Sequence, residues 1–251
     1  MRQLRLLILG GTSEASALAR ALAGDARVAP LLSLAGRTKA PVTPPVPFRV
    51  GGFGGPAGLA AYLEAERFDL MIDATHPFAD RIKRNAVEAA GLAGVPLLAI
   101  RRPEWRPQPG DRWTIVPDMA AAAAALGNDP KRVFLTIGQK ELAPFREAPV
   151  HTYVIRSVDP PDPGHLPPNA VVIIARGPFD EPSERALLDG HRIDVIVTKN
   201  SGGTATEAKL AAARALRIPV VMVARPAHPD AETVDTAEQA LAWLEARVRQ
   251  A

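Results

Sequence analysis

Short runs of β-branched residues and leucine alternate along the chain with alanine-rich stretches that have helical periodicity. The predicted strands are 4–9, 28–34, 70–74, 95–100, 132–137, 151–155, 171–175, 195–198 and 220–223. The predicted helices are 13–23, 56–66, 79–93, 119–126, 181–189, 205–216 and 236–249. Alternation of this kind predicts an α/β fold with parallel sheets that carry helices on both faces.

An internal repeat divides the chain into two similar halves. The segments that begin at Asp69 and Asp194 both read as a strand, a polar turn, a helix, a second strand and an Arg-Pro step. We therefore predict two domains related by duplication, residues 1–128 and 129–251, because Asn-Asp-Pro at 128–130 breaks regular structure. Each half closes with a strand (114–116 or 233–234) and a helix. These closing elements could be exchanged, because two similar domains would offer them similar partners.

The composition of the 251 residues is that of a globular protein, with 47% hydrophobic and 23% charged residues. The absence of cysteine excludes disulfides, thiolate metal sites and a cysteine nucleophile, and no metal site is predicted. A net charge of +3 and few aromatic residues argue against a nucleic-acid partner. Neither a membrane span nor a signal peptide is evident, so we expect a cytoplasmic protein. Nothing in the pattern indicates an oligomeric state.

A glycine turn follows the first predicted strand. Gly10, Gly11 and Thr12 lead from that strand into a helix. Such a turn lets a phosphate approach the backbone, and the free N–H groups of the helix start attract it. The full G-x-G-x-x-G spacing is absent, because Thr12 and Ala15 stand where the later glycines would be. The turn therefore fits either a cofactor phosphate or a tight structural connection.

Basic and hydroxyl side chains follow the second predicted strand. Arg37, Thr38 and Lys39 stand where a site specific for NAD would carry a carboxylate for the ribose hydroxyl. Cations and donors at this point suit the 2′-phosphate of NADP. The alternative is a solvated basic turn.

Two polar residues stand at the end of the third strand of the first half. Thr75 and His76 precede Pro77, which suits a first helical turn, so either residue could cap the helix. This edge of a parallel sheet is where ligands bind, so Thr75 is a candidate cofactor-binding residue. His76 could contact the cofactor or the substrate, or donate a proton.

The loop 199–204 is the counterpart of the His76 turn in the second half. Thr204 and Glu207 have the spacing of a capping box, which predicts a helix start there. The candidate cofactor-binding residues that would form an anion cradle before this helix, for a cofactor phosphate or a substrate carboxylate, are Ser201, Gly202, Gly203 and Thr204. A purely structural cap is the alternative.

Further cations follow other strands at the same edge. We predict that they surround a cleft between the two halves and suit a polyanionic small molecule. These residues are Arg101, Arg102, Lys140, Lys199 and Arg225.

Together, these motifs resemble a known enzyme family. The segments ILGGTSEA, SLAGRT, DATHPFA, TIGQKEL and TKNSGG, with the arginine-rich stretch 101–105, are similar to the precorrin-6A and cobalt-precorrin-6A reductases. The resemblance covers nearly the whole chain. It implies two Rossmann-like domains, NADPH as the cofactor, and reduction of one carbon–carbon double bond in a tetrapyrrole substrate. His76 and Lys199 are the candidate proton donors for that reaction, and solvent is the alternative.

Two other classes of function also fit an α/β protein with these motifs. Another NADP-dependent reductase of the short-chain class would carry Tyr-x-x-x-Lys, but Glu66 and Ser157 stand four residues after the two tyrosines, Tyr62 and Tyr153. A nucleotide-sensing α/β module would bind a nucleotide without turning over a tetrapyrrole.

Overall fold

A computed structural model describes residues 2–36 and 43–249 of the chain. These residues form two compact units. The first unit contains the described residues up to Pro103 and from Pro226 onward, and the second unit is Glu104–Arg225. Within the described part of the chain, no helix combines the length and the apolar character needed to cross a membrane.

The first unit is a six-stranded parallel sheet with helices on both faces. Its strands are β1 (Leu4–Leu9), β2 (Val28–Leu34), β3 (Phe48–Val50), β4 (Leu70–Asp73), β5 (Leu97–Ile100) and β12 (Glu232–Val234). Its helices are α1 (Ser13–Ala21), α2 (Pro56–Ala65), α3 (Asp80–Ala93) and α8 (Ala237–Val248). The strand order is β12-β5-β4-β1-β2-β3.

Strand β1 lies at the centre of this sheet, and its leucines and isoleucine are buried on both faces. Leu6 and Ile8 pack with α1 and α8, whereas Leu7 and Leu9 pack with α2 and α3. A strand covered on both faces reads as a continuous apolar run rather than as an alternating pattern. This explains why β1 was predicted with its observed bounds.

The second unit has the same architecture. Its strands are β6 (Trp113–Val116), β7 (Arg132–Leu135), β8 (Thr152–Ser157), β9 (Ala170–Ile174), β10 (Val195–Lys199) and β11 (Val220–Val223). Its helices are α4 (Met119–Ala124), α5 (Ala143–Arg146), α6 (Glu181–Gly190) and α7 (Ala208–Leu216), with short 3-10 turns at Gln139–Glu141 and Pro163–His165. The order β6-β11-β10-β7-β8-β9 matches that of the first sheet position by position. The predicted α/β fold with two parallel sheets is confirmed.

The predicted domain boundary at residue 128 is wrong, because the closing elements are exchanged. Strand β6 pairs with β11, with Trp113 beside Val220, so the segment before residue 128 belongs to the second unit. Strand β12 pairs with β5, with Glu232 beside Leu98, and α8 packs in the first unit. Each closing strand completes an equivalent sheet edge, so hydrophobic pattern alone could not assign it to one sheet.

Most of the other predicted elements are present with small shifts at their ends. Strand β5 begins at Leu97 rather than at 95, because Pro96 has no N–H to donate to a ladder. The short edge strand β3 and the single-turn helix α5 were not predicted.

Candidate functional site

The glycine turn after β1 has the conformation of a tight strand-to-helix connection. Gly11 has a φ of 119°, which favours glycine, and a side chain there would meet open space. Thr12 caps α1, because its hydroxyl oxygen accepts a hydrogen bond from the N–H of Ala15 at 3.2 Å. The same hydroxyl donates to the carbonyl of Ala74 at 2.7 Å. The turn after β1 is thereby tied to the turn after β4.

An ion pair flanks the first turn of α1. The Arg102 guanidinium donates to both carboxylate oxygens of Glu14, at 2.9 and 3.1 Å. Partial burial alone would raise the pKa of Glu14, but the nearby Arg102 charge and hydrogen bonds hold that pKa below its ordinary value. The carboxylate at this helix start is therefore neutralised by an arginine. Both residues line a small cavity of about 10 Å³, enough for roughly one water molecule.

A buried ion pair organises the turn after β4. The Lys83 ammonium, on α3, lies 3.1 Å from Asp73 Oδ2 and 3.3 Å from the carbonyl oxygen of Thr75. Asp73 Oδ1 accepts hydrogen bonds from the Thr75 N–H at 3.0 Å and hydroxyl at 2.6 Å. These contacts fix the backbone from Asp73 to Thr75 beside the glycine turn.

His76 lies in that turn, but it does not cap a helix. Helix α3 begins at Asp80, and Ala79 precedes it without a side-chain cap, so the predicted cap by Thr75 or His76 is wrong. Instead, His76 Nδ1 accepts the N–H of Phe78 at 3.1 Å. An imidazole with Nδ1 as an acceptor carries its proton on Nε2. The turn therefore selects one tautomer of His76.

In the second unit, the loop after β10 is held by Asn200 and Trp105. Asn200 Oδ1 accepts from the Trp105 N–H at 2.9 Å, and Asn200 Nδ2 donates to the Trp105 carbonyl at 3.0 Å. The Trp105 indole N–H donates to the carbonyl of Gly203 at 3.0 Å. Lys209 lies 4.6 Å from the Trp105 ring centroid. The loop conformation is thus fixed by buried side chains.

The conformation of this loop differs in one respect from the prediction. Gly202 and Gly203 have φ values of 65° and 77°, as expected for a donor-rich glycine loop. Helix α7 begins only at Ala208, however, and Glu207 makes no side-chain cap. The predicted capping box of Thr204 and Glu207 is therefore wrong, because turn residues separate the loop from the helix. Any anion bound here would depend on the loop's own N–H groups.

Lys199 forms an ion pair with the turn after β7. Its ammonium lies 2.9 and 2.8 Å from the two carboxylate oxygens of Glu141. Glu141 also accepts the N–H of Gly138 at 2.7 Å. The carboxyl ends of β7 and β10 are therefore linked by charge-assisted hydrogen bonds.

The other predicted cations have different surroundings. In the first unit, Arg101 donates to the carbonyl of Pro229. In the second unit, Arg225 Nε donates to the carbonyl of Asn200 at 3.2 Å, whereas Lys140 is exposed on a 3-10 turn. The predicted cofactor residues Arg37 and Thr38 lie outside the described residues.

Several residues of the site were missed because their partners are distant in sequence. Lys83 reads as a solvated helix residue, yet its side chain is only 3% exposed. The sequence contains one indication of this pair. Asp73 is a charged residue at the end of a fully buried strand and needs a partner, and Lys83 follows it by ten residues. Glu141 lies in the segment TIGQKEL and Trp105 lies in the stretch 101–105. No local sequence pattern predicts which residues these two side chains contact.

Comparisons with known proteins agree with the motifs. The family model of the precorrin-6x reductase CbiJ/CobK matches residues 5–245. A precorrin-6A reductase of Sinorhizobium sp is 54% identical over 241 residues, which cover 96% of this chain and 92% of that protein. A solved CobK precorrin-6A reductase superposes with a TM-score of 0.92 at 50% identity, with 97% of each chain covered. A cobalt-precorrin-6A reductase of Salmonella typhimurium is 30% identical over 244 residues, which cover 88% of this chain and 87% of that protein.

These matches extend over both units and confirm the resemblance that the motifs indicated. The chain therefore belongs to the precorrin-6x reductase CbiJ/CobK family, whose members are oxidoreductases of cobalamin biosynthesis.

Proposed function

We propose that this chain uses NADPH to reduce one carbon–carbon double bond in the macrocycle of precorrin-6A, giving precorrin-6B. The observation that carries this proposal is the family match over residues 5–245, which includes every turn of the candidate site. A reductase of this kind needs a hydride donor, and the glycine turn after β1 has the features of a dinucleotide site.

We further propose that the substrate is the cobalt-free form. The relative named precorrin-6A reductase is 54% identical to this chain, whereas the relative named cobalt-precorrin-6A reductase is 30% identical. This difference supports the cobalt-free form.

The residues around Gly11 fit a nucleotide phosphate. The first N–H groups of α1 have no partner within the helix, and the open space above Gly11 leaves room for an anion. Glu14 would repel an anion, but Arg102 neutralises it at 2.9 Å. Gly10, Gly11 and Thr12 would hold the phosphates. Thr75 follows Ala74, whose carbonyl accepts a hydrogen bond from the Thr12 hydroxyl. Arg37 and Thr38 would discriminate NADPH from NADH.

The cofactor supplies the hydride, and the chain must supply alignment and a proton. Lys199 holds its ammonium protons beside Glu141 on a buried strand end, so it can present one to a neighbouring carbon. His76 can present only the proton on Nε2, because Nδ1 accepts from Phe78. We therefore propose Lys199 as the proton donor, with His76 as a hydrogen-bond donor that positions a ligand.

Cations would hold the carboxylates of the tetrapyrrole. Arg101, Arg102, Lys140 and Arg225 remain the proposed substrate residues, but their contacts differ. Arg102 is engaged by Glu14, and the guanidiniums of Arg101 and Arg225 also donate to backbone carbonyls. Lys140 is the exposed member of this group, and it has the strongest case for direct contact with a carboxylate.

The test is anaerobic incubation of the full chain with NADPH and precorrin-6A, followed by absorbance and mass spectrometry. We expect loss of NADPH absorbance and a product with two additional hydrogen atoms. Lys199→Met should lower kcat with little change in the KM for NADPH, and Lys199→Arg should restore part of the activity. NADPH binding without turnover would instead support a nucleotide-sensing module.

A further inference from the structure

Trp105 is the second residue of the second unit, and its side chain is anchored in the core of that unit. The ring is buried in the same hydrophobic cluster as Phe134, Leu210 and Met222. Because protein cores are closely packed, a tryptophan held in this way keeps its indole N–H in a fixed direction. Trp105 belongs to the stretch 101–105 of the family motifs, but the proposed reaction gives it no role.

Trp105 contacts the loop after β10 at both ends of that loop. At the start of the loop, the Asn200 amide pairs with the Trp105 main chain through hydrogen bonds of 2.9 and 3.0 Å. Three residues later, the indole N–H donates to the Gly203 carbonyl at 3.0 Å. We call these contacts with Asn200 and Gly203 the Trp105 clamp. One side chain and its own main chain thus fix both ends of the loop.

The composition of the loop makes such a restraint necessary. Gly202 and Gly203 have left-handed φ values of 65° and 77°, and glycine adopts either sign of φ about equally readily. Helix capping does not restrain this loop, because α7 begins only at Ala208 and Glu207 makes no side-chain cap. The Trp105 clamp therefore takes the place of a helix cap in holding the glycines.

Lys209 supports the orientation of the indole ring. Its ammonium lies 4.6 Å from the Trp105 ring centroid and donates to the carbonyl of Thr206. A cation over the face of an indole is attracted by the ring quadrupole, and the attraction is stronger where water is excluded. Lys209 is buried, so it connects the ring to the turn that follows the glycine loop.

We propose that Trp105 is a positioning residue for Lys199, because the Trp105 clamp fixes Asn200, the next residue along the chain. The proposal rests on the proposed function, which makes Lys199 the proton donor. Two contacts would remain without the clamp: the Lys199 ammonium lies 2.8 Å from Glu141, and the Asn200 N–H donates to the Val223 carbonyl at 2.9 Å. Loss of the clamp should therefore misdirect the proton donor without unfolding the strand.

The experiment uses the full chain and the substitution Trp105→Phe, which removes the indole N–H and keeps an aromatic ring. The matched control is Trp113→Phe. Trp113, on β6, packs against the same core cluster, and its indole nitrogen is buried without a hydrogen-bond partner in the described part of the chain. The measurements are kcat and KM with NADPH and precorrin-6A under anaerobic conditions, and amide hydrogen exchange followed by mass spectrometry.

We expect Trp105→Phe to lower kcat about tenfold, which is less than the roughly hundredfold loss that a misplacement of 1 Å can cause. The KM for NADPH should not change. The amides of residues 200–204 should exchange faster than in the wild type, whereas those of β10 should keep their protection. Trp113→Phe should match the wild type in kcat and in the exchange of this loop.

A double-mutant cycle tests whether Trp105 acts through Lys199. When Lys199 has already been replaced in Lys199→Met, the further substitution Trp105→Phe should cause no additional loss of kcat. A second tenfold loss in this background would overturn the proposal, because Trp105 would then act independently of Lys199.

Unchanged kcat in Trp105→Phe would overturn the positioning role while leaving the proposed reaction intact. A loss of kcat that Trp113→Phe reproduces would also overturn it, because a general loosening of the core would then explain the effect. If the wild type fails to reduce precorrin-6A, the proposed function fails and the catalytic role of the clamp fails with it.

Discussion

The buried ion pair between Lys83 and Asp73 gives a quantitative prediction for the substitution Lys83→Met. The two side chains are 3% and 4% exposed and lie 3.1 Å apart. Methionine has a similar length and is apolar, so the substitution removes the charge with little change in volume. Asp73 Oδ1 would keep its two hydrogen bonds to Thr75, but Oδ2 would lose the ammonium.

An uncompensated buried carboxylate typically costs about 3–5 kcal/mol. For a chain of this size, each kcal/mol lowers Tm by roughly 2–4 °C, so we expect a decrease of about 6–20 °C. Removing both charges in Asp73→Asn/Lys83→Met should recover at least about 1 kcal/mol of that loss. The KM for NADPH should rise in the single variant, because Asp73 and Lys83 hold the turn that Thr12 contacts through Ala74.

The assay is urea unfolding followed by circular dichroism, with calorimetry for Tm. The matched control is Arg84→Met, because Arg84 is the next residue on α3 and forms an exposed ion pair with Asp80. Loss of that exposed pair should change stability little. The buried ion pair does not have the assigned role if Lys83→Met costs no more than Arg84→Met, or if the double variant is less stable than Lys83→Met alone.

Three other predictions address the loop, the cofactor and pH. Gly203→Val should reduce kcat/KM about tenfold or more, because a residue other than glycine is strained at a left-handed φ of 77° and would displace the loop. The strain of about 1–2 kcal/mol should lower Tm by only about 2–8 °C. The site assignment fails if both Gly203→Val and Ser201→Ala retain full turnover. Arg37→Ala should lower the preference for NADPH over NADH roughly ten- to a hundredfold, and equal kcat/KM values for the two cofactors in the wild type would contradict this. Burial, with a smaller contribution from the Lys131 charge, lowers the pKa of His151. The unfolded state therefore binds a proton more readily, so this stability is complete above about pH 6.5 and is lost as pH falls below it. Urea unfolding should show a weaker dependence on acid in His151→Gln, and an unchanged pH profile would count against this assignment.

The architecture could be predicted from the sequence because its signals are local. Strand β1 is apolar at every position except Arg5, and the repeat from Asp69 and from Asp194 marks two equivalent strand–turn–helix units. Glycine at 202 and 203 indicated a loop that needs unusual backbone angles, and both residues have positive φ. These features depend on neighbouring residues alone.

The errors arose where distant contacts decide the outcome. Strands β6 and β12 each have a suitable partner in either half, and only the folded chain shows that β6 joins β11 and β12 joins β5. The sequence did not predict the burial of Lys83, because a lysine on a helix is usually solvated. In the structure its ammonium is buried and pairs with the carboxylate of Asp73. Helix α7 begins at Ala208 rather than at the predicted residue 205, because a turn continues from the glycine loop to Glu207.

Isotopic labelling tests the proposed direct transfer of a hydride from NADPH to the macrocycle. The full chain is incubated anaerobically with precorrin-6A and NADPH that carries deuterium at the transferred position of nicotinamide C4. We predict a product with one deuterium from the cofactor and one hydrogen from solvent or Lys199. NADPH oxidation without a deuterium in the product, or a tetrapyrrole of unchanged mass, would rule out direct hydride transfer.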